Sequence, residues 1–153
     1  MMASTTIAPA GQFDDSNITW QPLPGIDGFV MSICSVDKAK NSVDFIARFA
    51  PNSVVLFHRH LAETHTFVIE GDHVIYEPDT SVRDSRAAGI YTVTPASDDI
   101  HSEGGGPDGC VLMYSVRSDD GELFDMLDDQ FQSTGTMTVD DFEALAQAGA
   151  AAA

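Results

Sequence analysis

The sequence predicts an all-β protein, a sandwich or barrel of antiparallel strands closed by one short C-terminal helix. Three observations carry this. Runs rich in Val, Ile, Phe and Tyr follow one another at short intervals from residue 29 to residue 127. Turn-forming clusters separate them, and no helical periodicity intervenes before the last fifteen residues.

The elements follow in order. Residues 1–17 are polar and without pattern, and are expected to form a loose arm. Residues 18–130 are expected to form the barrel. Ile18 opens a short edge strand that Pro22 and Pro24 cut. Strands are then predicted over 29–36, over 42–49 with Val43, Phe45, Ile46 and Phe49, and over 53–57. Residues 64–69 and 73–77 read as a hairpin turning at Glu70-Gly71-Asp72, and further strands are expected over 89–94, 110–116 and 122–127. The breakers are 37–41, Pro51-Asn52, Pro78-Asp79 and the run Gly104 to Gly109, which reads as a flexible turn without a following helix or Lys to bind phosphate. Residues 131–148 are expected to be a helical segment and 149–153 a frayed tail. Thr138-Val-Asp-Asp141 resembles a capping box, and Phe142, Leu145 and Ala146 make one apolar face that stops at Gly149. So short a helix must dock on the barrel or on a partner subunit.

The 153 residues make one domain. With 7 basic against 24 acidic residues and net charge −17, the chain lacks the basic face that nucleic acid or an anionic membrane demands. No apolar run reaches the ~20 residues of a membrane span. The N-terminus reads as neither secretory signal nor transit peptide, and two cysteines, Cys34 and Cys110, make no disulfide framework, so a cytoplasmic protein is expected. Both cysteines lie in apolar runs and read as buried small hydrophobes. The acidity suits either a salty cytoplasm or a solvated surface that keeps a small oligomer soluble.

All five histidines fall between positions 58 and 101. His58-Arg59-His60 ends an apolar run. Residues i and i+2 of a strand share a face, so the two imidazoles point one way and Arg59 the other. Neutral imidazole is the commonest metal ligand, and two on one face begin a chelate. An isolated pair of this kind is more often merely exposed, and the surroundings decide between the readings.

Those surroundings resemble the two motifs of the cupin family. The first motif is His-x-His, a few residues, usually Glu, and a later Gly, matched here by His58, His60 and Gly71. The second is Gly, Pro-x-Gly and His, matched by Gly89, Pro95 and His101, with one extra residue and Ser97 where Gly is usual. The resemblance covers about residues 40–117 and implies a jelly-roll barrel with a metal held by His58, His60 and His101. In the slot of the usual glutamate stands Thr64. The chain looks like the 2,4′-dihydroxyacetophenone dioxygenase-like cupins, in which a Glu from the following strand completes the site, with the ChrR-like cupins as more distant relatives of the same kind. The matching residue is Glu77, which the resemblance implies as fourth ligand. Glu63, His65 and a three-histidine site without carboxylate stay open as alternatives. By strand parity Thr64, Thr66 and Val68 face inward while His65, Phe67 and Ile69 face outward. His73 reads as a surface residue.

Three imidazoles and at most one carboxylate leave open metal positions, a set that suits Fe(II) and accepts Zn, Ni or Cu. The resemblance implies one divalent metal per chain, Fe(II) first and Zn or Ni as isolated. It further implies O₂ as co-substrate and oxidative carbon–carbon cleavage of a small enolisable β-dicarbonyl or hydroxy-ketone. Phe45, Phe57, Tyr76, Tyr91, Met113 and Tyr114 are candidates to line the cavity. The other readings are a non-catalytic metal- or ligand-binding cupin acting as sensor or accessory module, and a metal-dependent isomerase or hydrolase. A homodimer or higher even oligomer is expected, with the Ile18–Leu23 segment and the C-terminal helix as candidate contacts.

Overall fold

A computed structural model describes residues 13–152. The order of elements is β1 (Gln21–Pro22), β2 (Phe29–Asp37), β3 (Ser42–Phe49), β4 (Val55–His60), β5 (Glu63–Tyr76), β6 (Val82–Ala87), β7 (Tyr91–Thr94), β8 (His101–Arg117), β9 (Glu122–Leu127), β10 (Ser133–Thr138) and α1 (Val139–Ala152). All strand pairings are antiparallel. One curled sheet runs β1-β2-β3-β8-β4-β9-β10, and β5 joins it through β8 while also pairing with β6 and β7. The expected barrel with a C-terminal helix is therefore present.

The strands form where side chains alternate. β3 buries Val43, Phe45, Ala47 and Phe49 and turns the residues between them outward. The 17-residue β8 is the hub. Its C-terminal half lies between β3 and β5, and its N-terminal end pairs with both β4 and β5. Phe29, Met31, Leu112, Val116, Leu123 and Phe142 join the β3 side chains in the core.

Three expectations are corrected here. No hairpin turns at Glu70-Gly71-Asp72: β5 runs unbroken through Gly71, whose φ of +74° bends the strand where the ladder to β8 slips register. A Cβ on Gly71 would lie 2.1 Å from the Gly109 carbonyl oxygen, so the glycine serves a close approach of two strands. The true hairpin turns at 77–81, where Asp79 accepts the Ser81 amide at 2.9 Å, and leads into β6. Second, Gly104 to Gly109 is no flexible turn. Residues 104–106 are buried in β8, and a Cβ on Gly104 would sit 1.7 Å from the Ser53 carbonyl oxygen. Third, 131–148 is only partly helical, because residues 133–138 form β10 against β9.

The capping box is present: Asp141 accepts the Thr138 amide at 2.8 Å while Thr138 Oγ1 accepts the Asp141 amide at 3.3 Å. The helix continues past Gly149 to Ala152. Its Phe142 is buried in the chain's own core, and Gln21 Nε2 of β1 donates to the Leu145 carbonyl at 2.9 Å. Most of the expected N-terminal arm lies outside the described residues. Its end is fixed, since Asp15 accepts from Trp20 Nε1 and Arg48 at 2.9 and 2.8 Å. Cys110 is buried as expected, and burial pushes its thiol up to about 12. Cys34 is exposed, because the β2–β3 ladder slips between Ile33 and Ser35 and turns it outward.

Candidate metal centre

β4, the start of β5, and β8 with the loop before it build the site. His58 and His60 end β4 with both rings buried, and His101 opens β8 directly opposite His58 in the β4–β8 ladder. The loop before β8 is tied to β4 by the Ser97 amide, which donates to the His60 carbonyl at 3.0 Å. That bond brings His101 to the His60 ring. Arg59 faces the other way and pairs with Asp125 of β9 at 3.1 Å, as parity requires.

The second nitrogen of each ring is held by an acceptor. His58 Nδ1 meets the Leu56 carbonyl, which is turned toward it by a left-handed backbone at Leu56 (φ 65°) in a bulge of β4. His60 Nδ1 lies 2.8 Å from Thr64 Oγ1, whose own hydroxyl donates to the Ala62 carbonyl at 3.2 Å. The Thr64 oxygen is therefore the acceptor. His101 Nδ1 lies 3.2 Å from Asp99 Oδ2, and the carboxylate accepts. Each proton is thus placed on Nδ1, which leaves the three Nε2 atoms with free lone pairs.

The three rings converge, with one ligand nitrogen from each lying within 4.8 Å of the others. His60 Nε2 and His101 Nε2 stand 3.1 Å apart. Two unprotonated nitrogens at that distance repel unless a cation lies between them. Nitrogens at right angles on a metal with bonds of about 2.1 Å are about 3 Å apart, so the donor set fits a divalent metal. Burial and then the charge of His58 push His60 down to about 3, and the same two causes lower His101. Both are held neutral, the form that ligates.

Thr64 stands where the sequence places it, inward and fully buried with Thr66 and Val68. In the slot of a ligand it positions His60 instead. His65 faces outward as expected and pairs with Glu63 at 2.6 Å. Glu77, expected as fourth ligand, is a correction. Both its oxygens receive Arg83 at 2.8 Å on the outer side of the hairpin, and that hydrogen bonding holds its carboxyl low. Arg83 also holds Asp99, at 2.5 Å, so an arginine and a second acid stand between Glu77 and His101.

His73 is the other correction. It has no exposed surface, and its Nε2 donates to Glu103 Oε1 at 2.7 Å, where the Tyr114 hydroxyl also donates at 3.0 Å. Glu103 was missed by sequence reasoning. It is buried, with Oε2 3.4 Å from His58 Nε2. Burial would raise its carboxyl, but the His73 hydrogen bond and the surrounding imidazoles outweigh it and hold the group well below the usual range. Burial, followed by Glu103, pushes the Tyr114 hydroxyl well up. The signal was parity: Glu103 is two residues from His101 and shares its face once β8 is known to start there.

An apolar cavity of about 40 Å³ opens beside His58 and Glu103, walled by Phe29, Met31, Phe45, Phe124 and Phe142 among others. Of the expected lining residues, Phe45 and Tyr114 take part. Phe57 packs edge-on against Phe131, Tyr91 is exposed, and Tyr76 and Met113 are not in the cavity wall.

Several solved structures share this fold. An RmlC-like cupin protein of Ralstonia eutropha JMP134 is 13% identical, with TM-score 0.74, covering 95% of this chain and 89% of that one. An acetylacetone dioxygenase from Acinetobacter johnsonii is 14% identical, with TM-score 0.71 and 97% of each chain covered. The polyketide cyclase RemF from Streptomyces resistomycificus is 16% identical, with TM-score 0.56, covering 88% of this chain and 92% of that one. At these identities the likeness is one of fold. No curated protein matches the chain in sequence. The model of the ChrR cupin-like domain matches residues 11–118. The chain, with its paired His58 and His60 and its His101 in that family's barrel, therefore belongs to the ChrR cupin-like family.

Proposed function

We propose that this protein is a metal-dependent dioxygenase-like cupin that cleaves a carbon–carbon bond in a small enolisable β-dicarbonyl or hydroxy-ketone. The observation that carries the reading is the convergence of the buried rings of His58, His60 and His101, of which His58 opens, with Glu103, onto an otherwise apolar cavity. His58, His60 and His101 are the metal ligands, one divalent metal per chain, with Fe(II) as the working metal. Bound Fe(II) would supply the open positions for a chelating substrate and O₂. The chain's own groups do the rest. Leu56, Thr64 and Asp99 fix the rings, and the phenylalanine and methionine walls exclude water and orient a small neutral molecule. The similarity in fold to an acetylacetone dioxygenase supports this substrate class.

The similarity to a polyketide cyclase favours a second reading, a metal-dependent isomerase or hydrolase on the same barrel. The ChrR-like match leaves a non-catalytic sensor or accessory module as a third. Anaerobic loading with Fe(II), followed by an O₂-electrode screen of β-diketones and hydroxyacetophenones, decides among them. Substrate-dependent O₂ consumption lost in His58→Ala is the expected result. Product formation without O₂ uptake would establish the second reading, and metal or ligand binding without turnover the third. Among the described residues no helix is long and apolar enough to cross a membrane. We place the protein in the cytoplasm, a reading the free thiols Cys34 and Cys110 support.

A further inference from the structure

Resting on the metal-and-cavity reading above, we propose that Glu103 sets the substrate class. Its Oε2 accepts a hydrogen bond from a hydroxyl of a neutral substrate bound beside the metal, and its charge bars substrates that carry a carboxylate.

The argument begins with what each oxygen already does. Oε1 is saturated, receiving His73 Nε2 at 2.7 Å and the Tyr114 hydroxyl at 3.0 Å. Both donors sit on the same oxygen, so the side chain is locked in one orientation and presents Oε2 to the cavity it lines. Oε2 receives no hydrogen bond among the described residues. Its neighbour His58 Nε2, at 3.4 Å, is no donor, because the His58 proton is on Nδ1 and goes to the Leu56 carbonyl. The Tyr114 hydroxyl is spent on Oε1, and the rest of the wall, apart from His58 itself, is apolar. The cavity therefore offers a ligand one free acceptor, set beside a metal-binding nitrogen.

Such an acceptor discriminates sharply. A ligand that displaces water from Oε2 without donating to it leaves a buried charged oxygen unpaired, which is why sites built to bond a hydroxyl reject analogues lacking one. A second carboxylate would place like charges together in an apolar, water-poor cavity. At about 40 Å³ the space holds only a few water-sized groups, which favours a small hydroxy-ketone, and the flexible side chain of Met31 gives the wall some adjustment.

The test is calorimetric titration of the Zn(II)-loaded protein, in which no O₂ chemistry runs, with hydroxyacetone, methoxyacetone and acetoacetate. Wild type should bind hydroxyacetone at least about tenfold more tightly than either of the others. In Glu103→Gln, His73 and Tyr114 keep the amide oxygen and turn the amide NH₂ into the cavity. The preference should then invert, with acetoacetate gaining and hydroxyacetone losing about tenfold each. Wild-type affinities for all three within twofold, or an unchanged ratio in a folded variant, would overturn the assignment. If Glu103→Gln does not fold, the wild-type ratio decides by itself. Absence of metal uptake would overturn the metal reading instead, and the same titrations on metal-free protein would then decide Glu103, whose oxygen faces the cavity through protein contacts alone. Absence of binding by every probe to fully loaded protein would remove this cavity as the substrate site, and this assignment with it.

Discussion

His58 and His101 are cross-strand partners, directly opposed in the antiparallel ladder of β4 and β8 with ring centroids 4.5 Å apart. Backbone pairing therefore sets two of the three rings that could hold a metal. The third, His60, shares its strand and face with His58.

Because the rings are preset, their removal should cost metal and leave the barrel intact. Wild type should carry one divalent metal per chain. His58→Ala and His101→Ala should lose most of it by elemental analysis while keeping their circular dichroism spectrum. Full occupancy in either variant would place the metal elsewhere.

Thr64 holds His60 by a single hydroxyl. Thr64→Val keeps the shape and removes the acceptor, so metal affinity should fall by roughly 10–100-fold. Thr64→Ser should stay near wild type. Competition with a chromophoric chelator measures both, and equal affinities for Val and Ser would show that the hydroxyl positions nothing.

Acid should destabilise the metal-free protein. His60 is pushed down to about 3 by burial and the neighbouring His58, and His101 is lowered too. Between an unfolded value of about 6.5 and the folded value, the unfolded chain binds more protons, so stability falls as pH falls through that window. The slope should approach 1.4 kcal/mol per pH unit for each such group, by roughly the linkage relation. Glu103, held low, adds loss of the same sign below the usual carboxylate range. Urea midpoints between pH 7 and pH 4 check this, and a flat profile would contradict it.

Gly71 faces the backbone of β8 and Gly104 the backbone of Ser53, both too closely for a side chain to enter. Gly71→Ala and Gly104→Ala should each cost roughly 3 kcal/mol or more, through collision with backbone oxygens at 2.1 and 1.7 Å. Gly89→Ala meets nothing within 4 Å and carries only the strain of a φ of +92°, about 1–2 kcal/mol. Denaturant midpoints should rank them in that order.

A homodimer or higher even oligomer is the assembly we infer. The C-terminal helix spends Phe142 on its own barrel, while Phe67 of β5 and its ladder partner Tyr91 of β7 are about half exposed beside Val93. Sedimentation at micromolar concentration should show the dimer, and Phe67→Ser with Tyr91→Ser should weaken it. A monomeric wild type would overturn the inference.

What the sequence made legible was whatever depends on period and spacing. The apolar run with Val43, Phe45, Ile46 and Phe49 announces β3, the i, i+2 pair announces two imidazoles on one face, and Thr138 to Asp141 announces the helix cap. What stayed hidden depends on exceptions to those rules. β6 and β10 are nearly all exposed on both faces and show no alternation to read. Gly71 and Gly104 to Gly106 look like turns because glycine usually marks them, yet here they serve strands that pass too close for a Cβ. Glu103 and His73 vanished with that error. Once the glycine run was taken as a loop, parity could no longer carry the face of His101 on to Glu103, or across the ladder to His73. Glu77 fell to a partner far along the hairpin, since nothing local reveals that Arg83 will reach back to it.

Part of the cavity wall comes from stretches of the polypeptide far from the triad beside it. The three imidazoles lie within the middle of the chain, whereas Leu23 near one end and Met137 and Phe142 near the other complete the wall. A ribosome will have released all three imidazoles well before the last wall residues emerge. Substitutions near the termini can therefore reshape part of the pocket while the imidazole-bearing middle is left untouched, whereas Glu103, two residues after His101, ties the polar end of the pocket to that middle.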